Sequence, residues 1–203
     1  YRPQVFTDSV AMMEALKPDA ALVSTGWEAH IEVAIEAMKR GIAVAMEVGG
    51  AYSLQECYDL VDTWEKTRVP SMFLENCCYG RREMMALRMV KEGLFGEIVF
   101  CNGAYHHYLN HVEFFKKDAE GNYITDHYRL AEYLNRNCEN YPTHELGPIS
   151  KILNINRGNR FTTLTSFGSK SVGIKTYAMR KFGEESPYAN TDYKQSDIVT
   201  TVL

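Results

Sequence analysis

Short apolar runs alternate with amphipathic helical patterns over the first third of the chain, and this alternation fixes the class of fold. Residues 20–24, 42–46 and 71–74 are apolar runs too short for helices and suited to strands of a buried parallel sheet. Residues 31–40 place Ile31, Ala34, Ile35 and Met38 on one helical stripe, closed by Gly41. Ser53-Leu-Gln-Glu56 is a capping box that opens a helix over 53–66. Before the first strand, Asp8 caps a helix over 8–17 with Val10, Met13 and Leu16 on one face, and Pro18-Asp19 ends it. The expected fold class is α/β, a Rossmann-like doubly wound parallel sheet. Such sheets bind ligands at the carboxyl ends of their strands. Three strand ends here carry polar residues: 25–30, Glu47 and Glu75-Asn76.

A dinucleotide site of this kind normally opens with a strand, Gly-x-Gly-x-x-Gly and a helix. The turn after the first strand here is not glycine-rich, and the chain stops at Thr201-Val-Leu203 inside an apparent strand. The first strand and its glycine turn are therefore expected before Tyr1, and more chain is expected beyond Leu203.

The second part reads as an α+β domain with a mostly antiparallel sheet, giving domains 1–76 and 77–203. A helix is expected over 84–92, broken by Gly93-Leu-Phe-Gly96, and a strand over 97–105. Residues 108–128 show no clear period, and 116–122 read as a turn. A short helical piece follows at 129–134. Ile149, Ile152 and Leu153 read as a buried helix face, and 154–160 as a turn. Residues 161–169 and 199–203 read as strands of a second sheet, with 175–196 as a surface loop between them.

Composition excludes several partners. A net charge of -4 and a pI near 5.9 give no electrostatic case for nucleic acid or an anionic membrane. No apolar run approaches the length of a membrane span, and no secretory leader is visible at Tyr1-Arg-Pro-Gln. Cys57, Cys77, Cys78, Cys101 and Cys138 form no CxxC, so reduced thiols in a cytoplasm are expected. His106, His107 and His111 are close in sequence but lack a ligand spacing, and no metal is expected.

Chemistry concentrates in Tyr141-Pro-Thr-His144-Glu-Leu-Gly147-Pro148. If Thr143 begins a helical turn, Tyr141 and His144 lie beside each other. Histidine moves protons near neutral pH, a tyrosine beside it can bond or stack on a ring-shaped ligand, and Gly147 permits close approach. The competing role for His144 is structural, as a helix-start histidine bonded to backbone.

In three further stretches the chain resembles the Gfo/Idh/MocA family of NAD(P)-dependent oxidoreductases. Thr25-Gly-Trp-Glu-Ala-His30 sits where that family has T-P-x-x-x-H, Glu47-Val48 where most members have Glu-Lys-Pro, and Gly93-Leu-Phe-Gly96-Glu-Ile98 at the step into the second domain. It is most similar to one branch, the NAD-dependent α-N-acetylgalactosaminidases of glycoside hydrolase family 109. The matching stretches include Glu75-Asn-Cys-Cys-Tyr-Gly-Arg-Arg-Glu-Met-Met85, Tyr105, Arg129, Tyr141-Pro-Thr-His144 and Leu153-Asn-Ile-Asn-Arg-Gly-Asn-Arg160.

The resemblance implies that Trp27, Glu28, Ala29, His30, Glu47, Val48, Asn76 and Tyr141 contact NAD. It implies that Tyr105, Arg129, Tyr141, Pro142, Thr143 and His144 contact the sugar. It also implies a cycle of C3 oxidation, elimination, water addition and re-reduction on an N-acetylgalactosaminide-like sugar. His144 and Tyr141 are assigned to C3, and Tyr105 to C2 or the leaving group. Two departures stand out. Glu145 replaces the usual glycine after the histidine, and a later tyrosine used by the branch has no clear counterpart here. Val48 cannot take a proton as the family's lysine does, which disfavours the alternative, a plain NAD(P)-dependent sugar or cyclitol dehydrogenase. His144, Tyr141 and Asn76 argue against a non-catalytic binding relative. A homo-oligomer acting on a small sugar or glycoside is expected.

Overall fold

Asp8 begins the first ordered element by accepting from the amide of Ala11 at 2.6 Å, which satisfies one of the free amides at the start of α1 (Ser9–Leu16). In this computed structural model, residues 2–109, 116–124 and 127–203 are described. They fall into two compact units, Tyr1–Arg81 and Arg82–Leu203, dividing later than the boundary expected after Asn76.

In the first unit, β1 (Ala20–Val23), α2 (His30–Lys39), β2 (Ala43–Met46), α3 (Leu54–Thr67) and β3 (Ser71–Phe73) alternate as expected. The strands are parallel in the order β1-β2-β3, with Val23 opposite Met46 and Met46 opposite Phe73. Gly41 leaves α2 at φ 75°, a conformation that favours glycine. Met13, Val23, Ala34, Met38, Val44 and Met46 form the core between the helices and the sheet.

Burial on both faces of the sheet, expected from the apolar runs, is not observed. Leu22 is 70% and Met72 46% exposed, because alternation turns them away from the helix-covered face. Leu16, expected beside Met13, is also exposed.

The capping box of α3 is formed in both directions. Ser53 Oγ accepts from the Glu56 amide at 3.1 Å, and Glu56 Oε2 accepts from the Ser53 amide at 3.0 Å. Ser53→Ala is expected to lower stability by about 1 kcal/mol. Urea unfolding checks this, and an unchanged midpoint would mean that packing alone sets the helix start.

In the second unit, α4 (Arg81–Lys91) ends before Gly93 and Gly96, both at positive φ of 74° and 67°. The strand expected over 97–105 is absent. Val99 and Phe100 are 90% and 78% exposed, and an alternating sequence becomes a strand only when its backbone pairs with another. A small hairpin, β4 (Lys116–Lys117) and β5 (Tyr123–Ile124), brackets the expected turn, where Asp118 accepts from the Asn122 amide at 2.8 Å. Then come α5 (Tyr128–Asn135) and α6 (Thr143–Ile152). The face of Ile149, Ile152 and Leu153, expected to be buried, is half-buried. The 154–160 turn forms with Asn154, Asn156 and Gly158 at positive φ. β6 (Thr165–Gly168) pairs antiparallel with the last strand, β7 (Val199–Val202), as expected for a second sheet.

The surface loop expected over 175–196 is instead part of the core. Most of it is α7 (Gly173–Phe182) and a tyrosine-rich return. Leu130, Ile174, Ala178, Tyr188, Ala189 and Tyr193 pack together. Tyrosines tolerate burial when their hydroxyls are bonded. Here Tyr193 donates to the Tyr188 carbonyl at 2.9 Å and Tyr188 to the Ile124 carbonyl, and burial pushes the Tyr193 phenol up to about 12.

Candidate functional site

The first unit gathers its candidates at the carboxyl ends of the strands. After β1, residues 27–29 form a single 3-10 turn that leads directly into α2. His30, 1% exposed, sits at the start of that helix, with Nδ1 2.9 Å from the Gly26 carbonyl and 3.2 Å from Thr25 Oγ1. A carbonyl only accepts, so the proton of the neutral ring belongs on Nδ1 and Nε2 is left as an acceptor. That Nε2 is buried without a hydrogen-bond partner among the described residues.

Beyond β2, Glu47 is exposed and its carboxylate accepts from the Val48 amide at 3.0 Å, while the Val48 side chain is buried. Gly49 then passes close to the β1 turn. A Cβ there would lie 2.6 Å from Trp27 Cδ1 and 3.2 Å from His30 Nε2. Asn76, exposed, opens the turn after β3, where Glu75 accepts from the Cys77 amide at 2.9 Å. Trp27, His30 and Gly49 are thus in direct contact. Glu47, Val48 and Asn76 stand at neighbouring strand ends, Glu28 is exposed, and Ala29 is half-buried.

The second unit builds a cluster of rings. Gly103 lets the chain run against α6: a Cβ there would lie 2.8 Å from Glu145 Cβ and 3.1 Å from Ile149 Cδ1. This approach lays the Tyr105 ring against the start of the helix. It stacks on Tyr141, centroids 5.3 Å apart and planes at 23°, and meets His144 edge-on at 4.9 Å. Tyr141 precedes the helix and His144 lies in its first turn, so their rings come within 4.6 Å, as the spacing predicts. Pro142 is the residue at the helix start and Thr143 its first member, whereas Gly147 lies inside α6. The Arg129 guanidinium is 5.5 Å from the Tyr141 ring, and its Nε donates to Tyr128 Oη at 3.1 Å. Tyr105, Arg129, Tyr141 and His144 therefore converge.

One member of this cluster escaped the sequence reading. His107 Nδ1 lies 2.6 Å from Tyr105 Oη. The available signal was the Tyr-x-His spacing, which sets two side chains on one side of an extended backbone. Of the histidines considered as metal ligands, His111 lies outside the described residues. All five cysteines are free, and burial pushes the Cys138 thiol above its ordinary range.

A family model for the C-terminal domain of glycosyl hydrolase 109 matches residues 79–203. The chain belongs to glycosyl hydrolase family 109. Among its curated relatives, a family 109 protein of Solibacter usitatus is 41% identical over 185 residues, covering 91% of this chain and 41% of the relative. The alpha-N-acetylgalactosaminidase of Tannerella forsythia is 37% identical over 218 residues, covering 99% of this chain and 47% of the relative. The chain thus spans less than half the length of these relatives.

Among solved structures, an oxidoreductase from Agrobacterium radiobacter in complex with NAD+, L-tartaric acid and magnesium aligns with a TM-score of 0.60 at 18% identity, covering 96% of this chain and 46% of that one. An oxidoreductase from Thermotoga maritima aligns at 0.58 and 15% identity, covering 99% and 53%. These likenesses establish the fold of the family 109 chain, a Rossmann-like α/β unit followed by an α+β unit. Tyr105, His107, Arg129, Tyr141 and His144 all lie inside the family 109 C-terminal match. Among the described residues, no helix is long and apolar enough to cross a membrane.

Proposed function

We propose that this family 109 chain belongs to an NAD-dependent glycosidase acting on an N-acetylgalactosaminide-like sugar. The observation that carries the proposal is the convergence of Tyr105, Tyr141 and His144 with Arg129 over Tyr141. Phenols and an imidazole suit proton movement at a sugar hydroxyl and at an acidified carbon. An ordinary glycosidase instead centres its chemistry on two carboxylates flanking the glycosidic bond. The alpha-N-acetylgalactosaminidase name of a relative supports the choice of sugar.

The strand ends of the first unit fit a nicotinamide dinucleotide. His30 Nε2 is a buried acceptor that a ribose hydroxyl or a carboxamide would satisfy, and Gly49 leaves open the space where a side chain would strike Trp27. Trp27, Glu28, Ala29, His30, Glu47, Val48 and Asn76 would hold it. When bound, NAD supplies a hydride acceptor for C3 of the sugar and later the donor that restores it.

The remaining work belongs to side chains of the chain itself. His144 takes the proton of the C3 hydroxyl as C3 is oxidised. The resulting ketone acidifies the C2 proton, which Tyr105 removes. The substituent on C1 then leaves, water adds at C1, and Tyr105 returns a proton to C2. Arg129 and Tyr141 hold the sugar against these groups. Val48 is buried and carries no titratable group, so no base stands where a family dehydrogenase keeps its lysine.

The test uses the full-length protein with NAD and an aryl 2-acetamido-2-deoxy-galactoside in D2O. Cleavage without net accumulation of NADH, and deuterium at C2 of the product, are expected. Accumulating NADH with the glycosidic bond intact would establish the dehydrogenase instead. Cleavage of a C2-deuterated substrate with its label retained would overturn the elimination.

A further inference from the structure

We infer that Tyr105 and His107 act as a coupled acid–base pair in which His107 holds the proton that Tyr105 must shed before it can act as a base. The inference rests on the proposed role of Tyr105 at C2. A phenol titrates ordinarily near about 10, so at neutral pH it is a weak base for a carbon acid. An imidazole titrates near about 6.5 and can accept that proton. The structure joins the two: Tyr105 Oη and His107 Nδ1 are 2.6 Å apart, at the short end for a hydrogen bond between a hydroxyl and a ring nitrogen. Their rings meet edge-on at 5.2 Å, so the phenol can keep its stack on Tyr141 while bonding to the imidazole.

The step balances. The Oη proton passes to Nδ1, giving imidazolium and phenolate. The phenolate oxygen takes the C2 proton. The C2–H bonding pair becomes the C1–C2 double bond, and the C1 substituent departs with its own pair. When water adds at C1, Tyr105 returns a proton to C2, Nδ1 returns its proton to Oη, and the proton shed by the water ends on the departed oxygen. His107 is exposed, so the proton that Oη takes from C2 trades with solvent through the Oη–Nδ1 hydrogen bond before one is returned to C2. That exposure gives solvent deuterium a route to C2.

Arg129 lies over Tyr141, His144 meets Tyr105 edge-on, and Glu145 follows His144 in the first turn of α6. His107 is a positioning residue, because it works through the tyrosine.

The experiment compares wild type with His107→Gln and Tyr105→Phe in the full-length protein. Glutamine keeps a polar side chain but cannot take up a proton. His107→Gln is expected to lower kcat about 10²-fold, the lower end of what a positioned acid–base group contributes, with KM within a few-fold. The loss should shrink as pH rises toward the phenol's own range, where Tyr105 ionises without help. Independently of turnover, nitrogen NMR of labelled histidine should show His107 Nδ1 as a hydrogen-bond acceptor in wild type, and this signature should vanish in Tyr105→Phe. Wild-type kcat and an unchanged pH profile in His107→Gln would overturn the pair. So would an Nδ1 signal indifferent to Tyr105→Phe. If no glycoside is cleaved but the NMR signature is present, the glycosidase proposal fails and the coupling of Tyr105 to His107 stands.

Discussion

His144→Ala is expected to lower turnover by roughly 10²–10⁴, the contribution of a positioned acid–base group, while NAD stays bound within a few-fold of wild type. The two halves of this expectation come from different parts of the chain. His144 touches Tyr105 and Tyr141 in the second unit. The residues assigned to the cofactor in the first unit, from Trp27 to Asn76, reach their positions without it. α6 begins at Thr143 behind Pro142, and alanine is a good helix former at the second helical position. Turnover and NAD titration are measured on the same preparation. Turnover within a few-fold of wild type would remove His144 from the chemistry. Loss of NAD or of folding would instead favour the structural role for this histidine, as a ring that holds the helix start.

The parts of the molecule legible in the sequence are those decided by local physics. The capping box at Ser53 and Glu56, the Asp8 cap and the Gly41 stop each depend on a few neighbouring residues, and each forms as expected. The meeting of Tyr141 and His144 is equally local, since it follows from where one helix begins. Tertiary context decided the rest. The alternation at 97–105 is genuine, yet a strand needs a partner that sequence pattern cannot supply, and Val99 and Phe100 remain exposed. Residues 175–196 looked like surface because tyrosine and charge dominate them. Backbone carbonyls that accept from Tyr188 and Tyr193 let those same residues join the core. In the candidate sites, Trp27 and His30 meet in the first unit and Tyr105, Arg129, Tyr141 and His144 in the second, but the glycines that bring them there do not announce themselves. Gly103 is informative only once Glu145 and Ile149 are seen against it, and Gly49 only once Trp27 is.

Gly49→Ala is expected to weaken NAD binding by at least about 10-fold, equivalent to roughly 1.4 kcal/mol, and to lower stability by about 1–3 kcal/mol. The added methyl would begin 2.6 Å from Trp27 Cδ1 and 3.2 Å from His30 Nε2, inside van der Waals contact in the first case. Neither neighbour yields cheaply. The Trp27 indole is 8% exposed, and His30 is 1% exposed with Nδ1 bound to the Gly26 carbonyl. One of two things must move. If Trp27 swings out, the buried face of the β1 turn opens. If the segment after β2 backs away, Glu47 and Val48 shift with it. In both cases His30 Nε2, the buried ring nitrogen beside Gly49, loses its setting. Gly50→Ala is the control, because a Cβ there meets nothing within 4 Å. It should bind NAD as wild type does. Equal damage from both substitutions would mean that backbone freedom in the loop matters rather than close approach at Gly49. Wild-type NAD affinity in Gly49→Ala would show that the contact with Trp27 and His30 is not part of the cofactor site.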